Sequence, residues 1–330
     1  MRLLVTGGLG FIGSNFILKL LEKDREIKIT NVDAELYGSD HGNLAHIANS
    51  DRYNFVKANI SNKKLMEELI TKCDAVVNFA AESHVDRSIN DANPFLVSNI
   101  RGAFTILDII TKQKKRMVQI STDEVFGSLT QGTANENSKF NPSSPYAATK
   151  AAAELLINSY SITYDTDVII TRCTNNFGPR QFVEKLIPKT IILANQNLKI
   201  PIYGKGNNIR DWIFVDDHCE GVEEVLFNGK SGESYNISAN NEIDNITIVK
   251  KILEIMDKPN DLIEFVEDRP GHDFRYSMDS KKISDELEWK IKTTFEEGLE
   301  KTIQWYLDNP EILNDVSPAV LNSTPWKNSN

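Results

Sequence analysis

Residues 121–127 read STDEVFG and set two carboxylates side by side, Asp123 and Glu124, directly behind the apolar run Met117-Val118-Gln119-Ile120. The charge on one close carboxylate raises the pKa of its neighbour, and burial beneath a ligand adds to the effect. Such a pair can hold one ionised base and one protonated acid at the same pH, although it titrates as a unit. Adjacent strand residues point to opposite faces, so both acids can serve one ligand only if the strand has ended at Thr122. Most Asp-Glu dipeptides are solvated loop acids or helix caps; the company this one keeps argues for chemistry. Downstream, in SPYAATKAAAELL, Tyr146 and Lys150 are four apart on a helical pattern and share a face. A Lys ammonium near a phenol favours the phenolate, which makes Tyr146 a candidate base.

A second constellation, TGGLGFIGS, joins the first strand to the first helix. Gly7, Gly10 and Gly13 there permit a tight turn, close approach of a pyrophosphate and close helix packing. Gly8, Gly10 and Gly13 also satisfy GxGxxG, so spacing alone leaves two variants of a dinucleotide site open. Asp33 lies 20 residues beyond Gly13, at the end of the second strand, where a carboxylate accepts both ribose hydroxyls of an adenosine. It would repel a 2'-phosphate, so the expected cofactor is NAD and not NADP. An oxidised nicotinamide adds a second positive charge near Tyr146. Lowering a phenol from about 10 to about 7 requires roughly 4 kcal/mol, which two cations in a partly buried site can supply.

The elements that must position these groups follow from the pattern. RLLVTG, IKITNVD, NFVKA, DAVVNFAA and RMVQIST are short apolar runs that alternate with amphipathic stretches such as FIGSNFILKLLEK and KKLMEELITK. That alternation predicts an α/β fold: a Rossmann-like, doubly wound parallel sheet over residues 1–174, to which some later segments return. After DVIITRC the rhythm changes, with a short strand at Ile200–Tyr203 and helices near 247–256 and 294–307. This predicts a smaller mixed α/β C-terminal substrate lobe over 175–309. Residues 310–330, rich in Asn, Ser and Pro, are expected to be poorly ordered.

Composition excludes other classes. With 37 Lys plus Arg against 47 Asp plus Glu, the net charge of -10 repels a nucleic acid or an anionic membrane. Cys73, Cys173 and Cys219 lack disulfide or zinc spacing, and the five histidines show no ligand pattern, so no metal is expected. No apolar run approaches the roughly 18 residues of a membrane helix, and the expected location is the cytoplasm.

Taken together, TGGLGFIGS, FAAESHVDRS, STDEVFG, PSSPYAATKAAAE, TRCTNNFGP, RDWIFVDDHCEGV and DRPGHDFRY resemble the nucleotide-sugar branch of the extended short-chain dehydrogenases/reductases, and within it the 4,6-dehydratases. The resemblance runs from Met1 to about Asn309. It implies NAD-dependent dehydration of dTDP-glucose to a 4-keto-6-deoxy sugar, a place in deoxysugar synthesis such as that of rhamnose, and a homodimer built through helices of the first domain. Thr122, Asp123, Glu124, Tyr146 and Lys150 are the implied catalytic set, with Asp123 as acid and Glu124 as the base at C5. Implied cofactor contacts are Gly7, Gly10, Phe11, Ile12, Gly13, Asp33, Asn59, Ile60, Ala80, Ala81, Glu82, Ser98, Tyr146, Lys150 and Asn176. Implied substrate contacts are Ser83, Thr122, Asn175, Lys185, Leu186, Pro201, Ile202, Tyr203, Arg210, Asn245, Asp268, Arg269, Pro270, Gly271 and His272.

Two stretches depart from the family pattern. Asn59-Ile60 replaces an Asp-Ile pair at the adenine, where an Asn carbonyl can still accept from the amine. In GPRQFVEKLIP, Arg180 and Val183 replace the usual Tyr and Pro, which leaves thymine against uracil open. The alternatives are therefore a dehydratase of UDP-glucose or another nucleotide hexose, and a nucleotide-sugar 4-epimerase. A simple epimerase has no use for the adjacent acid pair.

Overall fold

The computed structural model describes residues 1–314, 318, 321 and 322. β1 (Arg2–Thr6), β2 (Lys28–Asp33), β3 (Tyr53–Lys57), β4 (Ala75–Asn78), β5 (Arg116–Thr122) and β6 (Val168–Cys173) are all parallel. The near-continuous burial of β4, β5 and β6 matches strands covered on both faces. The crossovers are α1 (Phe11–Lys23), α2 (Lys63–Thr71), a segment of α3 (Val85–Asn90), α4 (Asn93–Phe95), a π-helical stretch (Leu96–Gly102) and α5 (Ala103–Gln113), and finally α6 (Pro145–Tyr164).

The second part of the chain supplies α7 (Leu186–Asn195), β7 (Asn175–Phe177), β8 (Ile200–Tyr203), β9 (Ile209–Phe214) and α8 (Val215–Asn228). β10 (Ser234–Ile237) then pairs with β6, giving a seven-stranded sheet ordered β10-β6-β5-β4-β1-β2-β3. ESYNIS, residues 233–238 within the stretch 175–309 expected to form the second lobe, is thus one of the later segments that return to the first sheet: its Tyr235 and Ile237 join the same core as Val118, Ile169 and Val222. β11 (Glu242–Asp244) pairs antiparallel with β9, and β12 (Ile263–Val266) runs parallel to β8. α9 (Asn245–Ile255), α10 (Lys281–Leu287), α11 (Phe295–Asp308) and α12 (Pro310–Asn314) complete the described elements. Of the tail, α12 buries Leu313 and Leu321 packs beside Ile200 and Leu253; residues 315–317, 319–320 and 323–330 lie outside the described residues.

The two faces of the large sheet carry separate cores. Phe16 and Ile17 of α1 and Val222 and Val225 of α8 cover one face. Met66 and Ile70 of α2, Ile106 and Ile110 of α5 and Ile157 of α6 cover the other. The strand order reverses between β1 and β4, and in such sheets the carboxyl ends of the strands open a crevice at that point. No helix among the described residues is long and apolar enough to cross a membrane.

Local sequence sets the two element ends that matter most. Thr122 closes β5, and its Oγ1 accepts the Glu124 N–H at 3.3 Å, starting a 3-10 turn at Asp123–Phe126. Ser144 caps α6 by accepting the Ala147 N–H at 3.1 Å, with Pro145 in the first turn, so Tyr146 stands at the mouth of the crevice. At the other crossover, a Cβ on Gly13 would lie 2.4 Å from the Gly7 carbonyl oxygen and 2.9 Å from Gly8 Cα, both backbone atoms. Gly13→Ala should therefore lower Tm by several degrees and weaken binding at the crevice, measured by thermal unfolding with and without dinucleotide.

Candidate active site

The glycine turn lines a cleft of about 320 Å³. Gly7, Gly10, Phe11, Ile12 and Gly13 form part of its wall, whereas Gly8 does not. Gly8 donates its N–H to Asn31 Oδ1 at 3.0 Å, and a Cβ there would meet that amide. The structure thus selects the Gly7-Gly10-Gly13 register. Gly7, at φ +69°, passes so close to β4 that a Cβ would stand 2.6 Å from the Ala80 nitrogen. Asp33 is anchored at the cleft by three donors: the Leu9 N–H at 3.0 Å, the Glu35 N–H at 2.9 Å and the Ser39 hydroxyl at 2.8 Å. Ile60, Ala80, Ala81, Glu82 and Ser98 line the same cleft, as does Asn176, whose side-chain oxygen is buried without a partner. Asn59 lines it too, but its carbonyl already accepts the Ser61 N–H at 2.9 Å, so one of its two acceptor positions is used locally. Glycine cradle, anchored carboxylate and unpaired amide oxygen together fit a dinucleotide.

Thr122, Asp123, Glu124, Tyr146 and Lys150 all line the same cleft. Asp123 is 4 % exposed; Oδ1 accepts the Thr122 hydroxyl at 3.1 Å and Oδ2 has no partner. Burial first, and the Glu124 charge second, push its carboxyl up to about 8. Glu124 is raised by burial as well, opposed by Arg269, Arg210 and Lys185. The two acids are thus asymmetric: Asp123 is the deeper one and holds a proton at neutral pH, and Glu124 faces the cations. Tyr146 is raised well above 10 by burial and by the Glu124 charge, against the expectation of a phenol drawn towards neutrality by Lys150. Lys150 sends its Nζ to the Ile120 carbonyl at 2.6 Å, and burial lowers it to about 8. A cation from outside these side chains is needed to bring the phenol down.

The second lobe brings positive charge. Arg210, on β9, is 5 % exposed, donates to the Asp273 and Phe274 carbonyls and lies 4.3 Å over the Tyr276 ring. Arg269 pairs with Asp86 at 2.5 Å. Arg210 is not held by its neighbour Asp211, which instead accepts from Ser238 and from the Asn240 and Asn241 N–H groups. Lys185, Ser83 and Asn175 line the cleft itself. Tyr203 and His272 are in ring contact, and His272 Nδ1 meets Asp268 at 2.6 Å. Pro270 and Gly271 form the exposed turn beside them, Pro201 is partly exposed on β8, and Asn245 begins α9 with its N–H on the Asn208 carbonyl. Ile202 is 2 % exposed and its side chain packs in the core with Leu193 and Val249, with the partly buried Leu186 beside it, so a contact there would fall to the backbone of Ile202.

Of the family departures, Asn59 and Ile60 line the cleft and Arg180 and Val183 do not. Arg180 donates to Asn15 Oδ1 at 3.1 Å and lies over the Trp305 ring, and Val183 packs on the Phe177 core. Other contributors escaped sequence reasoning. His84 lines the cleft and holds Glu184 at 2.7 Å; burial and the neighbouring cations lower it to about 2, so it stays neutral. Asp86, the Arg269 partner, is 183 positions away in sequence and had no local signal. Leu36, Tyr37, Ser39 and Phe182 also line the cleft; the position of residues 36–39 directly after Asp33 was the available clue. Among the described residues no group of three or more His, Cys, Asp or Glu side chains is arranged to hold a metal.

The raised Asp123 carboxyl has a stability signature. Its folded pKa exceeds its unfolded value, so the native state binds more protons, and the stability this contributes is lost as pH rises from about 4 through about 8. Asp123→Asn, which cannot ionise, should therefore unfold at a temperature close to wild type at pH near 4 and progressively above it towards pH 8. Thermal unfolding across that range checks the sign.

Against known proteins, the family model for GDP-mannose 4,6 dehydratase matches residues 4–302. The low-salt glycan biosynthesis protein Agl12 of Haloferax volcanii is 46 % identical, over 94 % of this chain and 100 % of its own. A dTDP-glucose 4,6-dehydratase of Mycobacterium tuberculosis is 43 % identical, over 94 % of each. The crystal structure of DesIV, a dTDP-glucose 4,6-dehydratase from Streptomyces venezuelae with NAD and TYD bound, superposes with a TM-score of 0.92 at 41 % identity, covering 94 % of this chain and 98 % of that one. With the crevice, the glycine cradle and the acid pair in place, these likenesses assign the chain: it belongs to the GDP-mannose 4,6 dehydratase family, in the nucleotide-sugar branch of the extended short-chain dehydrogenases/reductases.

Proposed function

We propose that the protein is an NAD-dependent hydro-lyase that converts dTDP-glucose to dTDP-4-keto-6-deoxy-glucose. The observation that carries this reading is the asymmetric Asp123–Glu124 pair, one acid buried and the other partly buried, lining one cleft with Thr122 and Tyr146; relatives named dTDP-glucose 4,6-dehydratases support the substrate. A hexose has no acidic C–H bond, so water leaves C5–C6 readily only after C4 has become a ketone. NAD supplies the hydride acceptor for C4, the hydride returned to C6 and a positive charge beside Tyr146; Gly7, Gly10, Gly13, Asp33 and Asn176 would hold it.

The side chains divide the remaining work. Tyr146 takes the 4-hydroxyl proton, and Thr122 hydrogen-bonds the same oxygen. Lys150 holds the nicotinamide ribose and adds its charge to the lowering of the phenol. Glu124, facing the cations, is the ionised base for C5, and Asp123 gives its proton to the departing 6-hydroxyl. Arg210, Arg269 and Lys185 neutralise the diphosphate, the Arg forks matching its oxygens. Asp123 loses its proton as pH rises through about 8, so elimination should fall along that alkaline limb. A 4-epimerase would leave the acid pair idle, and Arg180 and Val183, which do not line the cleft, give no reason to prefer uracil over thymine.

The quaternary and cellular readings are part of the proposal. Phe104 on α5 and Leu155, Ile162 and Tyr164 on α6 are large apolar side chains exposed on neighbouring helices, which fits a homodimer formed there. Three buried free cysteines and an acidic surface fit a reducing cytoplasm. The product is the kind of keto sugar from which a deoxyhexose such as rhamnose is made.

Mass spectrometry after incubation with dTDP-glucose or UDP-glucose should show loss of one water from the former; no change in either refutes the assignment. Tyr146→Phe should lower oxidation on the order of 10²-fold or more, whereas Asp123→Asn and Glu124→Gln should keep C4 oxidation and slow elimination by a similar factor. Acid-pair variants that lose oxidation but still eliminate water from a supplied 4-keto sugar would reverse these roles. The pair Phe104→Glu and Ile162→Glu should elute as a monomer on gel filtration; an unchanged elution volume places the interface elsewhere.

A further inference from the structure

Behind the Tyr146–Lys150 helix lies a buried ion pair that no step of the reaction uses. Glu154, 0 % exposed, is one turn beyond Lys150 on α6, and Arg172, 2 % exposed, lies on β6. The guanidinium forks onto the carboxylate, with Nε and Nη2 at 3.0 and 2.7 Å from Oε2. The other carboxylate oxygen accepts the hydroxyl of Ser121, the residue before Thr122. Ser121 stands beside Arg172 in the β5–β6 register. On its outer side Arg172 lies 5.1 Å from the ring of Phe126, which ends the turn bearing Asp123 and Glu124, and reaches Asn236 Oδ1 at 3.4 Å. One pair therefore touches the helix that carries the phenol and the strand end that carries the acids.

A buried ion pair is not the economical way to stabilise a core. Desolvating two charges offsets much of their attraction, and apolar residues of similar volume in place of a buried pair are often neutral or stabilising. A fork does what an apolar contact cannot: it fixes both distance and angle. The reaction needs that, because Tyr146 and the acid pair must meet one sugar ring, and a displacement on the order of 1 Å can cost about 10²-fold in rate. We propose that Glu154 and Arg172 are positioning residues that set the register of α6 against the end of β5, and so the spacing of Tyr146 and Lys150 from Thr122, Asp123 and Glu124. The proposal rests on the dehydratase reading for its rate consequence; the geometric consequence stands apart from it.

The test is the double variant Glu154→Leu/Arg172→Met, which removes the pair without stranding a buried charge. It should fold with a Tm near wild type, keep KM for dTDP-glucose within about threefold and lose kcat on the order of 10²-fold. Arg172→Lys, which keeps the charge and loses the fork, should fall between the two. A crystal structure of the double variant should show the Ser121 hydroxyl released and the 2.6 Å contact between Lys150 and the Ile120 carbonyl broken. Wild-type kcat in the double variant, an unchanged Lys150–Ile120 contact, or failure to fold, which assigns the pair to stability, each overturns the proposal. A wild-type protein inert towards dTDP-glucose sinks the function, and the crystal structure then still decides the positional claim.

Discussion

The structure turns on two adjacent carboxylates at the end of one strand, Asp123 buried and Glu124 partly buried against the cleft. Placing Asp123 and Glu124 together away from water is costly, and the protein limits the cost in two ways. Asp123, the deeper acid, keeps its proton, since burial and the neighbouring charge both push its carboxyl up to about 8. Glu124 can carry the charge because Arg269, Arg210 and Lys185 face it. Those cations come from the second half of the chain, so the lobe that would bind an anionic substrate also sets the electrostatics of the acid pair. A single arrangement of charge thus serves recognition and protonation state together.

The fold explains how such a pair can exist. A parallel sheet ends its strands in a crevice where the order reverses, and the chain there is free to leave β geometry. Thr122 uses that freedom: its hydroxyl caps the following turn, and the turn brings Asp123 and Glu124 to one side instead of opposite faces. α6, capped by Ser144, delivers Tyr146 and Lys150 to the same place. The glycine turn lines the same cleft.

Much of this was legible in sequence because it is local. The strand–helix alternation, the glycine spacing, the Tyr–Lys pair and the requirement that β5 stop at Thr122 all follow from short-range periodicity and side-chain chemistry. What was not legible is long-range. ESYNIS has the pattern of any short strand, and only the edge of β6 makes it the seventh strand of the first sheet. Ile202 sits in a strand whose alternation has no visible phase until Leu193 and Val249 cover one side. Asp86 gives no hint of Arg269, and Glu154 looks like an ordinary helix residue until Ser121 and Arg172 close around it. The Tyr146 pKa also depended on depth, which spacing does not encode.

Epimerase-type sites need the hydroxyl, phenol and ammonium set alone. In the proposed reaction a neutral acid next to an ionised one would turn reversible oxidation at C4 into loss of water from C5 and C6, a conversion that depends on Asp123 holding its proton at neutral pH. Infrared difference spectroscopy between the wild type and Asp123→Asn reads this directly. The account predicts a neutral carboxylic-acid stretch in the wild type at neutral pH that is missing from Asp123→Asn; a wild-type spectrum without that band, or one that Asp123→Asn leaves intact, would contradict it.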